Sequence, residues 1–153
     1  MGLANVLLPG FGRPSAKGTA LLPDVAVLED QEHAALLAIE ACDGLGLTAA
    51  TFSSPATFLS HFTNMEPRIV VLDWRLEQNV GAGVFMALRH RFGLLPIVCW
   101  TAMPPSSLPD IVTSDGRTMV VQKTSGIDAL ESALRWASDL ASVTSREPRE
   151  ANA

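Results

Sequence analysis

The run Ile69-Val-Val-Leu72 constrains this chain more than any other feature of its sequence. Its four consecutive apolar residues, three of them β-branched, leave no polar face for water. Such a run suits a strand covered on both sides, as in a parallel sheet. A strand of that kind needs helices above and below it, and the flanking sequence supplies them in alternation. Val25 to Leu28, Thr48 to Phe52, Ile69 to Leu72, Pro96 to Trp100 and Met119 to Gln122 read as five strands. Helical patterns lie between them, which predicts a doubly wound α/β domain. Crossovers between parallel strands are right-handed in nearly all proteins. The natural arrangement is therefore a flavodoxin-like five-stranded parallel sheet of order 2-1-3-4-5.

Local signals place the helices. Residues 31–42 carry good helix formers and end at Gly44 and Gly46. Ser54 precedes Pro55, which fits a cap followed by the first helical position, and Phe58, Leu59 and Phe62 form the apolar stripe behind it. A third helix spans Gly81 to Phe92, with Phe85, Leu88 and Phe92 on one face. Ser125-Gly-Ile-Asp128 has the pattern of a capping box that opens a last helix along Ile127, Leu130, Leu134 and Ala137. The fourth helix is the exception. Pro104, Pro105 and Pro109 fall where it should begin, and proline is tolerated only in a first turn. A short or irregular fourth helix is expected, anchored by Ile111 and Val112.

At 153 residues, 48% hydrophobic and 18% charged, the chain has the make-up of one globular domain. Residues 24–142 are expected to form it, with 1–23 a flexible extension and 143–153 a disordered tail. The net charge of −5, without a basic stripe, argues against nucleic acid as a direct partner. No apolar run is long enough to span a bilayer, and no cationic segment precedes the first apolar residues, so a cytoplasmic protein is expected. Cys42 and Cys99 belong to no CxxC pair, and Cys99 reads as a small buried hydrophobe.

The chemistry lies in the polar residues at the strand ends. Glu29 and Asp30 follow strand one, Asp73 follows strand three, Thr101 follows strand four and Lys123 follows strand five. In a sheet of this order all five converge on the carboxyl edge, where strands one and three flank the switch point. Three carboxylates brought together raise one another's pKa values unless a cation relieves them. A site of few oxygen ligands suits Mg²⁺, and Lys123 can offset the remaining charge. A carboxylate in such a place can act as a nucleophile toward phosphorus. The cations, the Thr101 hydroxyl and the Ala102 backbone N–H would then bind the phosphoryl oxygens.

These residues resemble the receiver domain of two-component response regulators. The likeness covers about residues 24–141 and rests on Glu29-Asp30, Asp73, Gly81 with Leu88-Arg89, Pro96-Ile-Val-Cys-Trp-Thr101-Ala102, and Lys123, in that order. It implies that Asp73 takes a phosphoryl group from a histidine kinase or a histidine phosphotransfer protein. It also implies that Asp30, Asp73 and the backbone carbonyl of Arg75 ligate Mg²⁺, with Glu29 acting through a bound water. Output would pass to a downstream protein of unknown identity, in a stand-alone receiver that is not an enzyme in the usual sense, and a homodimer is a further assembly open to it.

The sequence also departs from the family. Val120 stands where an aromatic switch residue is usual, Thr124 replaces the proline after the lysine, and Glu77 replaces a proline after the phosphoacceptor. Two rival readings follow. One is a degenerate receiver that binds proteins without being phosphorylated. The other is a Mg²⁺-dependent phosphatase, against which Arg75 stands where that chemistry wants a second Asp.

Overall fold

A computed structural model describes residues 6–7, 22–76 and 81–146. Five parallel strands form its body: β1 (Val25–Leu28), β2 (Ala49–Phe52), β3 (Ile69–Leu72), β4 (Ile97–Thr101) and β5 (Thr118–Gln122). They lie in the order 2-1-3-4-5. The predicted flavodoxin-like topology is the one observed. A two-residue strand, Val6–Leu7, adds an outer edge by pairing in parallel with Ala49–Ala50 of β2. The remainder of the expected extension, up to residue 21, lies outside the described residues, as do residues 147–153 of the expected tail.

Five helices cover the sheet: α1 (Glu32–Gly44), α2 (Pro55–Met65), α3 (Gly81–Arg91), α4 (Asp110–Thr113) and α5 (Ile127–Arg146). Successive strand residues point to opposite faces, so each buried strand feeds two cores. Ala26, Leu28, Val70, Leu72, Ile97 and Cys99 meet Phe58, Phe62, Phe85 and Leu88 of α2 and α3. Val25, Val27, Ile69, Val71, Val98 and Trp100 meet Ala34, Ala38, Leu130 and Leu134 of α1 and α5. Each fully buried Leu or Phe among them contributes about 1.5–3 kcal/mol relative to an exposed one. Both cysteines lie in these cores, where burial pushes their thiols up to about 12. They are packing residues, as Cys99 was expected to be.

Local signals explain the element ends. The Ser54 hydroxyl caps α2 by accepting the Thr57 N–H at 3.3 Å, with Pro55 in the first turn. At the amino edge Asp24 and Thr48 clamp β1 to β2: the Asp24 carboxylate accepts the Thr48 N–H, and the Thr48 hydroxyl accepts the Asp24 N–H, each at 3.0 Å. The last helix differs from its expectation. Ser125 sits in a 3-10 turn over Lys123–Ser125, and Gly126, at φ +91°, separates it from α5. Gly supplies the left-handed turn there, so the helix begins one residue later than a Ser125 cap would give. At the other end α5 runs on to Arg146, beyond the expected boundary at 142.

The prolines shorten the fourth helix as expected. Pro105–Ser107 makes a 3-10 turn and α4 is only four residues long. Its anchors need correction, however. Val112 is fully buried, but Ile111 is 52% exposed, and Leu108 from the preceding turn fills the second core position instead. With so short a helix, neighbouring residues point to different sides, so only one of the Ile111-Val112 pair can face the sheet.

Candidate functional site

Strand register builds the site. Leu28 pairs with Leu72, so Glu29 and Asp73, the next residues, leave β1 and β3 side by side. The ladder runs one step further, because the Asp73 N–H donates to the Leu28 carbonyl at 3.0 Å and the Glu29 N–H donates to the Phe52 carbonyl at 2.9 Å. Lys123 leaves β5 directly after Gln122, which pairs with Thr101 at the end of β4.

The residues meet as a compact ionic cluster. Lys123 Nζ lies 2.8 Å from Glu29 Oε1 and 3.5 Å from Asp73 Oδ2. Its approach to Glu29 is that of an ion pair rather than a well-directed hydrogen bond. One carboxylate oxygen from each of Glu29, Asp30 and Asp73 lies within 4.8 Å of the others. The Glu29 side chain is 1% exposed and that of Asp73 4%, so water screens little of their charge. Asp30 stands at the rim, partly exposed. The Lys123 ammonium also lies 5.4 Å from the centre of the Trp100 ring, within cation–π range.

Two turns orient the acids. The Arg75 N–H donates to Asp73 Oδ1 at 3.0 Å, and the Gln31 N–H donates to Glu29 Oε2 at 3.2 Å. These are local side-chain to backbone turns of the kind Asp favours. Burial pushes the Glu29 carboxyl up to about 7, with the Asp73 charge adding to the rise and Lys123 opposing it. Burial also raises Asp73, against the pull of Lys123 and the Arg75 N–H.

The predicted residues thus divide into those the structure brings into contact and those it places beside the cluster. Glu29, Asp30, Asp73 and Lys123 meet. Thr101 is fully buried at the end of β4, where its hydroxyl accepts the Met103 N–H at 3.2 Å. That leaves the hydroxyl proton free to donate. Ala102 follows it, exposed at the carboxyl edge. The Arg75 backbone belongs to the site through its N–H, while its side chain is exposed. Trp74 and Trp100 serve as packing residues, Trp74 at 6.0 Å from the Phe85 ring and Trp100 in the core beneath α1 and α5.

The donor set fits a hard divalent cation. All its side-chain donors are carboxylate oxygens, three of them gathered around a single ammonium. Burial raises both carboxyls, and the neighbouring acids add to the rise, so a bound cation would relieve them. Two structural features escaped the sequence reading. One is the Arg89 network: Nε pairs with Asp115 at 2.8 Å, and the guanidinium donates to the carbonyls of Phe92, Gly93, Leu95 and Arg117. The other is the close approach of Gly81 to Trp74. Leu88-Arg89 and Gly81 were both visible as motif residues, but sequence carries no sign of what they touch.

Fold and site together define the class: this chain has the receiver, or CheY-like, fold of response regulators. It is similar to the signal receiver domain of a LuxO repressor protein of Vibrio parahaemolyticus, at 17% identity over 82% of this chain and 96% of that one, with a TM-score of 0.72. It is equally similar to the receiver domain of an HD domain-containing protein of Pseudomonas fluorescens, at 16% identity over 83% and 94%, again with a TM-score of 0.72. The BeF3-activated DrrB receiver domain matches at 19% identity over 78% and 99%, with a TM-score of 0.63. The sequence matches no protein-family model and no curated protein. Among the described residues no helix is long and apolar enough to cross a membrane.

Proposed function

We propose that this domain accepts a phosphoryl group on Asp73 and signals through protein–protein contacts in a cytoplasmic two-component or phosphorelay system. The observation that carries the reading is the buried contact of Asp73 with Lys123 beside Glu29 and Asp30, built from three separate strands at the carboxyl edge. Asp73 supplies a carboxylate oxygen that attacks phosphorus; a new O–P bond forms as the bond to the donor breaks. The donor, a phosphohistidine of a kinase or phosphotransfer protein, keeps the electron pair of the broken N–P bond and takes up a proton. Mg²⁺, when bound, supplies positive charge to the phosphoryl oxygens. Asp30, Asp73 and the Arg75 backbone carbonyl would hold it, and Glu29 would hold a water beside it.

The chain's own residues do the rest. Lys123 sits closer to Glu29 than to Asp73 and must turn from the first to meet a phosphoryl oxygen on the second. The Thr101 hydroxyl donates to another oxygen while it keeps the Met103 N–H as its own donor. Ala102 follows Thr101 at the same edge, and its N–H would meet the third oxygen. These groups develop no covalent chemistry; they place and neutralise the three oxygens.

Intact-mass analysis after incubation with acetyl phosphate tests the reading. One phosphoryl adduct is expected with Mg²⁺, and none without Mg²⁺ or in Asp73→Asn. No adduct in the unmodified protein would turn the argument toward a phosphorylation-independent binding module. Val120 at the usual aromatic position and the four-residue α4 favour that second reading, because both lie where a phosphorylation signal would have to travel.

A further inference from the structure

We propose that Gly81 is a positioning residue for the phosphoacceptor turn, a role that deepens the reading of Asp73 given above. Gly81 is the first residue of α3 and is buried. A Cβ at this position would lie 2.2 Å from the Trp74 carbonyl oxygen and 2.8 Å from both Trp74 C and Trp74 Cα. All three are backbone atoms, so no rotamer change can make room. Gly81 is helical as the first residue of α3, which makes space rather than conformational freedom the reason for glycine.

Trp74 lies between the two halves of the site. Before it, Asp73 is tied to β1 through its N–H on the Leu28 carbonyl at 3.0 Å. After it, Arg75 donates its N–H to Asp73 Oδ1 at 3.0 Å and carries the carbonyl expected to face the cation. The Trp74 ring is held against Phe85, itself fully buried on α3, and Leu76 is buried beyond. The turn therefore has little room to retreat as a unit. A side chain at 81 would open the Asp73–Arg75 hydrogen bond and swing the Arg75 carbonyl. Gly83, two residues along the same helix, has nothing within 4 Å of its would-be Cβ and provides the matched control.

The experiment compares the full chain carrying Gly81→Ala, Gly83→Ala or Leu134→Val, the last a core change on the far face of the sheet. Two readouts are taken: the Arg75 and Asp73 backbone amide resonances in ¹⁵N-labelled protein without metal, and the Mg²⁺ dissociation constant from tryptophan fluorescence. Gly81→Ala is expected to move the Arg75 amide well beyond its position in either control and to loosen Mg²⁺ by about tenfold or more, as changes behind a metal ligand commonly do. Gly83→Ala should change neither. A folded Gly81→Ala protein with an unmoved Arg75 amide overturns the proposal. So does an equal loss of Mg²⁺ affinity in Leu134→Val, which would mark a general effect of destabilisation. If the unsubstituted protein binds no Mg²⁺, the phosphoacceptor reading fails while the amide readout still decides the role of Gly81. Should Gly81→Ala not fold, Phe85→Leu keeps the glycine but frees the Trp74 ring, and an unmoved Arg75 amide in that variant equally overturns it.

Discussion

Replacing Asp73 with Asn should make the metal-free protein more stable, although it removes the residue on which the proposed function rests. The carboxylates of Glu29 and Asp30 each come within 4.8 Å of Asp73. At an effective dielectric constant of about 20, each such pair repels by about 3.5 kcal/mol when both partners are charged and shielded alike. Asp30 is partly exposed, which reduces its share to roughly half through solvent screening. Lys123, at 3.5 Å, returns about 5 kcal/mol of attraction by the same reckoning. The charges nearly cancel, and desolvation of a carboxylate only 4% exposed then tips the balance against the ionised form. Its raised pKa has the same sense. Asn keeps the shape and still accepts the Arg75 N–H. We expect Asp73→Asn to gain about 2 kcal/mol at pH 8 in EDTA, or about 8 °C in melting temperature for a domain of this size. Thermal unfolding by circular dichroism measures it. The gain should shrink at pH 5, where Glu29 is protonated, and reverse in saturating Mg²⁺, which stabilises only a protein that binds it. An Asp73→Asn protein that melts at or below the unsubstituted one at pH 8 in EDTA refutes the charge-crowding argument.

The pH dependence has a definite sign. Glu29 titrates near 7 in the folded protein against 4.5 in a free side chain, so the folded state holds the extra proton between those values. Metal-free stability should therefore be greatest below pH 4.5 as far as this group is concerned and fall through pH 7, by about 3 kcal/mol; Glu29→Gln should flatten that slope in denaturant titrations. Arg89→Met should cost about 3–5 kcal/mol, because it removes the charged partner of Asp115 and unpins the carbonyls at the end of α3, and a normal midpoint in urea would contradict the network's role. Ser54→Ala should cost about 1 kcal/mol through loss of the α2 cap, read from the same titration. Arg75→Ala should alter the rate at which phosphorylated protein loses its adduct, since the side chain leaves the site turn exposed and two residues from Asp73; an unchanged decay by intact mass would remove Arg75 from that step.

The sequence by itself determined the sheet and the membership of the site. Runs such as Ile69–Leu72 can be satisfied only between two layers of helix, and the alternation of such runs with helical patterns leaves one common topology. Once the order 2-1-3-4-5 is set, residues that follow strands one, three and five must meet, which is why Glu29, Asp30, Asp73 and Lys123 were legible without coordinates. Proline chemistry likewise exposed the shortness of α4. Tertiary structure decided what depends on direction and distance. It turned Val112 inward and Ile111 outward, brought Leu108 in to fill the vacant core position, and let Gly126 rather than Ser125 introduce α5. It set Lys123 nearer Glu29 than Asp73, gathered six backbone and side-chain partners around Arg89, and pressed the start of α3 onto the Trp74 backbone. The Lys123 and Arg89–Asp115 pairs join residues far apart in sequence, and the energies of all these contacts turn on fractions of an ångström. Residue type and periodicity record which side of an element is apolar, but carry no measure of how closely two elements approach.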